Sequence, residues 1–210
     1  MLIGITGGSS SDKTHVAKLI EQSLKQNNTN VVLISQDNFY KGLSDGDDEA
    51  EYNFDHPDAI DFDELIRVII SLKNNISCTI PIYSFEEHKR VGNIFVEPAD
   101  IIIVDGILIF AHQSVRDLFD LKIFVEASAE TRLVRRIKRD QEERGRTLES
   151  IFFQYMKFVK SSYENYIKPT RKYCDVTIHN ETNNVYVGLD IICNYVLKNN
   201  FRQLQTVVFE

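Results

Sequence analysis

Residues 2–14 read LIGITGGSSSDKT, an apolar run followed by a loop of small and polar residues. The run at 2–6 is rich in β-branched and apolar residues, which predicts a buried strand. Beyond the loop, Val16, Ile20 and Leu24 recur at helical spacing and predict a helix over residues 13–26. A strand, a glycine turn and a helix in this order have the frame of the P-loop, G-x-x-x-x-G-K-S/T, which binds phosphate groups.

The candidate loop would hold a nucleotide through its backbone and two side chains. Amide N–H groups of the turn and of the helix N-terminus surround the β-phosphate in such loops. Lys13 would neutralise the β- and γ-oxygens, and the Thr14 hydroxyl would contact Mg²⁺. The predicted ATP-binding loop comprises Gly7, Gly8, Ser9, Ser10, Ser11, Asp12, Lys13 and Thr14.

Asp12 departs from the motif because it stands where the second glycine belongs. A carboxylate a few ångströms from the nucleotide would repel its phosphates by roughly a few kcal/mol at an effective dielectric of about 20. That repulsion would weaken ATP binding by about tenfold to a thousandfold. Alternatively, the side chain turns to solvent or binds Mg²⁺ indirectly, and Asp tolerates left-handed backbone angles better than most residues.

Strands and helices alternate along the rest of the chain, which predicts an α/β fold with a parallel sheet. Residues 76–83 and 94–97 would pair as a hairpin, and the acidic residues 41–53 predict a mobile loop. No internal repeat or linker divides the 210 residues, so we expect one domain over 1–210. The other predicted strands lie at 31–35, 100–104, 121–125 and 175–179, and the other predicted helices at 61–72, 129–139, 148–166 and 185–197.

The charge balance excludes some classes of partner. Lys and Arg number 24 and Asp and Glu 31, and the net charge of −7 does not fit a general binder of nucleic acids or anionic membranes. The charges are uneven, with an acidic run in residues 45–64 and a basic run in residues 132–146. The three cysteines are well separated, and the sequence shows neither a signal peptide nor an apolar run long enough to cross a bilayer. These features predict a cytoplasmic protein with reduced thiols.

Further sequence blocks carry a family resemblance that covers about residues 2–190. In order and spacing, these blocks resemble uridine–cytidine kinases, and the combination is far more specific than the P-loop alone. The blocks are SQDNFY at 35–40, YNFDHPDA at 52–59, PIYSF at 81–85 with His88 and Arg90, VDGIL at 104–108, TRLVRRIKRD at 131–140, ERGR at 143–146, QY at 154–155, KPT at 168–170 and KYCDV at 172–176.

The resemblance implies transfer of the γ-phosphoryl group of ATP or GTP to the 5′-hydroxyl of uridine or cytidine, with Mg²⁺, in pyrimidine salvage. It also implies a P-loop fold similar to nucleoside monophosphate kinases, in which helices flank a five-stranded parallel sheet. A small hairpin at about 76–97 and a mobile lid at about 139–147 would belong to this fold. Assembly into homo-tetramers is a further expectation from the family.

The resemblance also assigns roles in catalysis. Asp37 follows a predicted strand end, where open α/β sheets place ligands, and would take or orient the 5′-hydroxyl proton. Thr14, Asp37 and Asp105 would hold Mg²⁺. The family usually has Glu at the position of Asp105, so an added water is expected there. Arg139 and Arg144 would act as lid arginines over the ATP phosphates, and Arg139 would stabilise the transferred group.

A second group of residues would form the nucleoside pocket. By resemblance, Asp55 holds the ribose hydroxyls, since two carboxylate oxygens suit a vicinal diol. Tyr83 and His88 would contact the pyrimidine by stacking and hydrogen bonding. The full expected set is Asp37, Tyr40, Phe54, Asp55, Tyr83, His88, Arg136, Arg146 and Gln154.

Other interpretations stay open from the sequence. Asp12, with Asp105 as a lesser sign, favours a nucleoside- or nucleotide-binding relative with weakened catalysis. A kinase for a sugar phosphate or pantothenate would share the P-loop, but not the FDHPD block at 54–58 together with Y-x-F-x-x-H at 83–88. Single residues also have structural alternatives, such as Asp37 as a helix cap, Asp55 as a solvated loop residue or one lid arginine as a surface ion pair.

Overall fold

The structure, a computed structural model, describes residues 1–44, 46, 48–182 and 185–207, with side chains up to residue 200. Asp45 and Asp47 of the acidic run lie outside the described residues. The strands are β1 (Leu2–Gly7), β2 (Val31–Ser35), β3 (Cys78–Ser84), β4 (Lys89–Val96), β5 (Ile101–Asp105), β6 (Leu121–Glu126) and β7 (Val176–His179). Five of them form a parallel sheet in the order β2-β5-β1-β6-β7, which confirms the predicted fold class.

Helices connect the parallel strands. They are α1 (Lys13–Gln26), α2 (Phe62–Lys73), α3 (Gln113–Arg116), α4 (Ala129–Arg144), α5 (Leu148–Gln154), α6 (Lys160–Ser162) and α7 (Tyr186–Val207). Short 3-10 helices lie at Gln36–Phe39, Pro57–Ala59 and Lys168–Tyr173, and π-helical turns at Tyr155–Val159 and Tyr163–Ile167. None of the described helices is long and apolar enough to cross a membrane.

The sheet is covered by apolar side chains on both faces. All six residues of β1 are buried. Leu2 and Ile34 belong to the layer that packs against α2, whereas Ile3 and Ile5 belong to the layer that packs against α1 and α7. Because both faces are covered, the edge formed by the strand ends is where a ligand can approach the sheet.

The hairpin and the end of α4 differ from the sequence expectation. β4 begins at Lys89 rather than at Ile94. The prediction missed residues 89–93 because they include Lys, Arg, Gly and Asn, which have little strand preference. The helix predicted to stop at Arg139 continues to Arg144 and ends at Gly145, whose φ of 62° is left-handed. The predicted lid at 139–147 therefore consists of the end of α4 and the short connection to α5.

Candidate active site

The carboxyl ends of β1, β2 and β5 meet at one edge because these strands are parallel neighbours. Ser35 pairs with Asp105 across β2 and β5. Asp37 follows Ser35 by two residues, in the 3-10 helix that begins where β2 ends. The candidate P-loop leaves β1 at the same edge, so two carboxylates and the loop converge as the sequence predicts.

The candidate P-loop turns tightly after β1. The Ser11 amide donates a hydrogen bond of 3.0 Å to the Gly8 carbonyl oxygen and closes the turn. A Cβ atom at position 7 would lie 2.3 Å from the Val125 carbonyl oxygen, so glycine is the residue that fits against β6. The Ser10 hydroxyl is buried and has no hydrogen-bond partner among the described residues. A buried hydroxyl in this position fits a phosphate oxygen.

Asp12 adopts the backbone conformation that glycine would take in this motif. Its φ of 63° and ψ of 28° are left-handed, and Asp accepts these angles with less strain than most residues. Its Oδ2 lies 3.2 Å from Nε of Arg135 on α4. The positive charge of Arg135 offsets the repulsion that the Asp12 carboxylate would exert on a bound nucleotide.

Thr14 connects the P-loop to the end of β5. Its Oγ1 donates a hydrogen bond of 2.6 Å to Oδ2 of Asp105. Burial raises the pKa of Asp105, whereas the Lys13 ammonium and the Thr14 hydroxyl favour its ionised form. Hydroxyl and carboxylate oxygens are the ligands that Mg²⁺ prefers, so Thr14, Asp105 and Asp37 fit this ion.

One buried acid organises the arginines of α4. The Asp140 side chain is fully buried and lies 3.3 Å from Nε of Arg136, 2.8 Å from Nη2 of Arg139 and 3.5 Å from Nη1 of Arg144. Burial would raise the pKa of Asp140, but the three guanidinium groups hold it below its ordinary value. Arg136 also donates a hydrogen bond of 2.9 Å to the Ser9 hydroxyl, which connects this cluster to the P-loop.

Aromatic side chains form a wall opposite the arginines. The Tyr40 ring lies 6.2 Å from Phe54 and 5.9 Å from Phe85, and the Phe54 ring lies 5.0 Å from the His88 ring. The Arg144 guanidinium lies 4.1 Å above the Phe85 ring, within the range of a cation–π contact. The end of α4 is thereby held against the aromatic wall.

Tyr83 packs against this wall. Its ring is 5.2 Å from Tyr40 and 5.3 Å from Phe85, and its side chain is buried. Among the described residues, Tyr83 is not part of the lining of the adjacent cleft. Burial raises the pKa of its hydroxyl to about 12, so the group stays protonated at neutral pH.

Asp55 contributes a buried carboxylate to the same region. Its backbone amide donates a hydrogen bond of 3.0 Å to Oδ1 of Asn53, which fixes the local turn. Burial raises the pKa of Asp55, while Arg136 and Arg139 favour the ionised form. An ionised carboxylate held in this way can accept two hydrogen bonds from a diol.

Two clefts meet in the middle of the site. The aromatic cleft is lined by expected nucleoside-binding residues that include Tyr40, Asp55 and His88. The loop cleft is lined by residues of the P-loop and of α4, together with Asp37. The residues common to both clefts are Lys13, Asp37, Arg139 and Arg144. The geometry therefore joins a phosphate loop to an aromatic pocket through a carboxylate and three cations.

Comparison with known proteins gives the family of the chain. Residues 2–186 match the model described as "Phosphoribulokinase / Uridine kinase family". The chain belongs to this family. It is 44% identical over 199 residues to an Arabidopsis thaliana protein named uridine/cytidine kinase UKL1, chloroplastic. This match covers 93% of this chain and 41% of the Arabidopsis protein. It is 42% identical over 195 residues to the uridine kinase of Lactococcus lactis strain MG1363, covering 91% and 93% of the two chains.

The coverage of these relatives differs. The chain spans about two fifths of the length of the Arabidopsis protein and nearly all of the Lactococcus protein. Among solved structures, the phosphoribulokinase from Rhodobacter spheroides superimposes with a TM-score of 0.66 at 20% identity, over 85% of this chain and 69% of the other. That likeness supports the fold of this family member.

Sequence reasoning missed several site residues in this family member. Asp140 stands four residues after Arg136 and four before Arg144, a spacing that indicates ion pairs on one helix face. Phe85 lies in a motif block, but no role was assigned to it. Glu49 is one acid within a long acidic run, so nothing in the sequence distinguishes it from its neighbours.

Proposed function

We propose that this protein is a uridine/cytidine kinase that transfers the γ-phosphoryl group of ATP, or GTP, to the nucleoside 5′-hydroxyl to give UMP or CMP. The junction of the two clefts at Lys13, Asp37, Arg139 and Arg144 carries the proposal. Direct transfer between two substrates requires that both meet at one point, with the donor phosphate and the acceptor hydroxyl in contact. The names of the relatives, uridine kinase and uridine/cytidine kinase, support pyrimidine nucleosides as acceptors.

In this proposal, Asp37 accepts the proton of the 5′-hydroxyl while that oxygen attacks the γ-phosphorus. The bond between the γ-phosphorus and the β,γ-bridging oxygen breaks, and ADP leaves. Lys13, Arg139 and Arg144 stabilise the negative charge on the transferred group. Mg²⁺ held by Thr14, Asp37 and Asp105 would supply further charge neutralisation at the β- and γ-oxygens.

The aromatic cleft would hold the nucleoside. Asp55 accepts hydrogen bonds from the ribose hydroxyls, and Arg136 lies at the junction with the phosphate side. Tyr40 and Phe54 offer apolar ring surface for the pyrimidine. Further polar groups of this cleft come from His88, Arg146 and Gln154. Tyr83 packs against Tyr40.

Nucleoside-dependent release of ADP tests the proposed activity. The purified protein is mixed with ATP or GTP and Mg²⁺, and ADP or GDP is measured with uridine, with cytidine and without nucleoside. We expect release that depends on either pyrimidine nucleoside, with pantothenate as a control acceptor that gives none. An absence of release over a range of Mg²⁺ and donor concentrations would rule out the kinase.

A weakened, nucleotide-binding relative is the alternative that Asp12 suggests. The ion pair of Asp12 with Arg135 argues against it, because the carboxylate has a neutralising partner in the loop cleft. Lys13 and Asp37 also line the loop cleft, which supports the kinase over the weakened relative.

Asp12→Gly should change the KM for ATP by no more than about threefold, because Arg135 already offsets the carboxylate and glycine accepts a φ of 63°. Arg135→Ala should raise that KM by about tenfold, since it leaves Asp12 to repel the phosphates. The double variant should return towards the wild-type value. A tenfold or larger gain in kcat/KM for ATP in Asp12→Gly alone would favour the weakened relative instead.

We also propose that the chain acts as one kinase domain over residues 1–210, in the cytoplasm and as a homo-tetramer. All three cysteines, Cys78, Cys174 and Cys193, are free thiols, which is compatible with a reducing compartment. The tetramer follows from the family resemblance, and light scattering of the purified protein at micromolar concentration tests it directly. A monomer under those conditions would contradict this part of the proposal.

A further inference from the structure

Glu49 contacts three residues that line the aromatic cleft, two through its carboxylate and one through its backbone carbonyl oxygen. Its Oε1 lies 2.7 Å from Nη2 of Arg146 and 3.2 Å from Nε2 of His88. Its backbone carbonyl oxygen accepts a hydrogen bond of 3.0 Å from Nε2 of Gln154. His88, Arg146 and Gln154 line the aromatic cleft, whereas Glu49 lies in a neighbouring surface pocket. One residue of the acidic loop therefore holds three cleft residues from behind.

His88 is held by this loop at its backbone as well as at its ring. Its carbonyl oxygen accepts a hydrogen bond of 2.9 Å from the Leu43 amide. Its φ of 51° is left-handed, so the turn between β3 and β4 depends on such external contacts. On the cleft side, the imidazole ring packs against the Phe54 ring at 5.0 Å. These contacts together fix the position of the ring.

The contact with Glu49 also determines where the imidazole carries its proton. Burial lowers the pKa of His88, although Glu49 opposes this shift, so the ring is neutral at neutral pH. A neutral imidazole has a single N–H group, and the carboxylate at Nε2 is the acceptor for it. Nδ1 is buried and has no hydrogen-bond partner among the described residues. This geometry favours the tautomer in which Nε2 is the donor and Nδ1 carries the lone pair.

We propose that Glu49 is a positioning residue for the nucleobase, which fixes the orientation and the Nε2–H tautomer of His88 and the position of Arg146. The pocket then offers His88 Nδ1 as an acceptor for an N–H donor of the base. Uracil has such a donor at N3, and cytosine has one in its 4-amino group. This proposal rests on the proposed uridine/cytidine kinase activity and adds to it the residue that sets the polarity of the base pocket.

Steady-state kinetics of Glu49 variants test the positioning role. Glu49→Ala should raise the KM for uridine by about tenfold, the usual effect of losing a hydrogen bond to a charged group, while the KM for ATP stays within about twofold. Glu49→Gln should recover part of this loss, because its amide oxygen still accepts from His88 Nε2. The matched control is Glu51→Ala, since Glu51 is in the same loop but pairs with Lys157. It should leave both KM values unchanged.

The tautomer is read separately from the ring-nitrogen chemical shifts of His88 by NMR, with the signal assigned by its loss in His88→Asn. The wild type should show a protonated Nε2 and a bare Nδ1 at about neutral pH, and Glu49→Ala should show a tautomer mixture. The proposal would be overturned by any of three results. These are an unprotonated Nε2 in the wild type, an unchanged KM for uridine in Glu49→Ala, and equal increases in the KM values for uridine and ATP in that variant. The chemical shifts of His88 can be measured without catalysis. A wild type that is inactive towards uridine would therefore refute the proposed function, and the tautomer of His88 would still be tested.

Discussion

The Asp37→Asn variant is expected to lose phosphoryl transfer by about 10²- to 10⁴-fold in kcat, the usual range for removal of a general base. Asparagine keeps the size of the side chain but does not accept the proton of the 5′-hydroxyl. Asp37 lines both clefts, so its loss acts at the point where the two substrates meet. Rapid-quench measurement of UMP formation under single-turnover conditions checks the chemical step.

A matched control separates this effect from a general loss of negative charge. Asp58 lies in the 3-10 helix Pro57–Ala59, and its side chain is 90% exposed. Asp58→Asn should therefore keep kcat and both KM values. If kcat of Asp37→Asn stays within threefold of the wild type, Asp37 is not the base, and the assigned step is wrong.

Asp140→Asn is expected to damage both stability and catalysis. The carboxylate is fully buried among Arg136, Arg139 and Arg144, and its removal leaves three cations close together without their anion. Loss of one partner from a buried ion pair costs about 3–5 kcal/mol. For a chain of this size, the melting temperature should fall by roughly 6–20 °C. Differential scanning calorimetry measures this change, and kcat should fall because Arg139 and Arg144 lose their anchor.

The stabilisation by Asp140 also has a defined pH dependence. In the folded state, the pKa of Asp140 is held below its ordinary value. The ionised carboxylate therefore stabilises the fold at any pH above the ordinary pKa, and this stabilisation is lost as the pH falls through the lowered pKa. The unfolding free energy of the wild type should therefore decrease in acid more steeply than that of Asp140→Asn. The control is Glu142→Gln, an exposed acid on the same helix, which should behave like the wild type. Equal acid dependence in Asp140→Asn and the wild type would show that this ion-pair cluster does not stabilise the fold.

Local patterns were sufficient to predict the sheet and the P-loop. The apolar run before the glycines and the helical spacing after them are adjacent in sequence, and both elements form as predicted at β1 and α1. The family resemblance assigned Asp37 and Asp105 to one Mg²⁺ site, and in the structure they follow or end neighbouring parallel strands, β2 and β5. The start of β4 was missed, since its first residues have weak strand preference and one face of the hairpin is exposed, as at Phe95.

Contacts between residues distant in sequence were beyond sequence reasoning. The ion pair of Asp12 with Arg135 depends on how α4 packs beside the P-loop, and no local pattern contains that information. The same holds for Glu49, which reaches His88 and Arg146 only after the acidic loop folds over the hairpin. The packing of Tyr83 against Tyr40 and Phe85 likewise depends on the folded hairpin, and its predicted contact with the base stays a prediction.

The most direct test of the proposed activity is product analysis with uridine and with 5′-deoxyuridine, which lacks the accepting hydroxyl. Each is incubated with ATP, Mg²⁺ and the protein, and UMP and ADP are quantified by mass spectrometry. We predict equimolar UMP and ADP from uridine, and neither product from 5′-deoxyuridine, which should inhibit competitively with uridine. An absence of UMP from uridine, or ADP release at the same rate with both nucleosides, would contradict transfer to the 5′-hydroxyl at the junction of the two clefts.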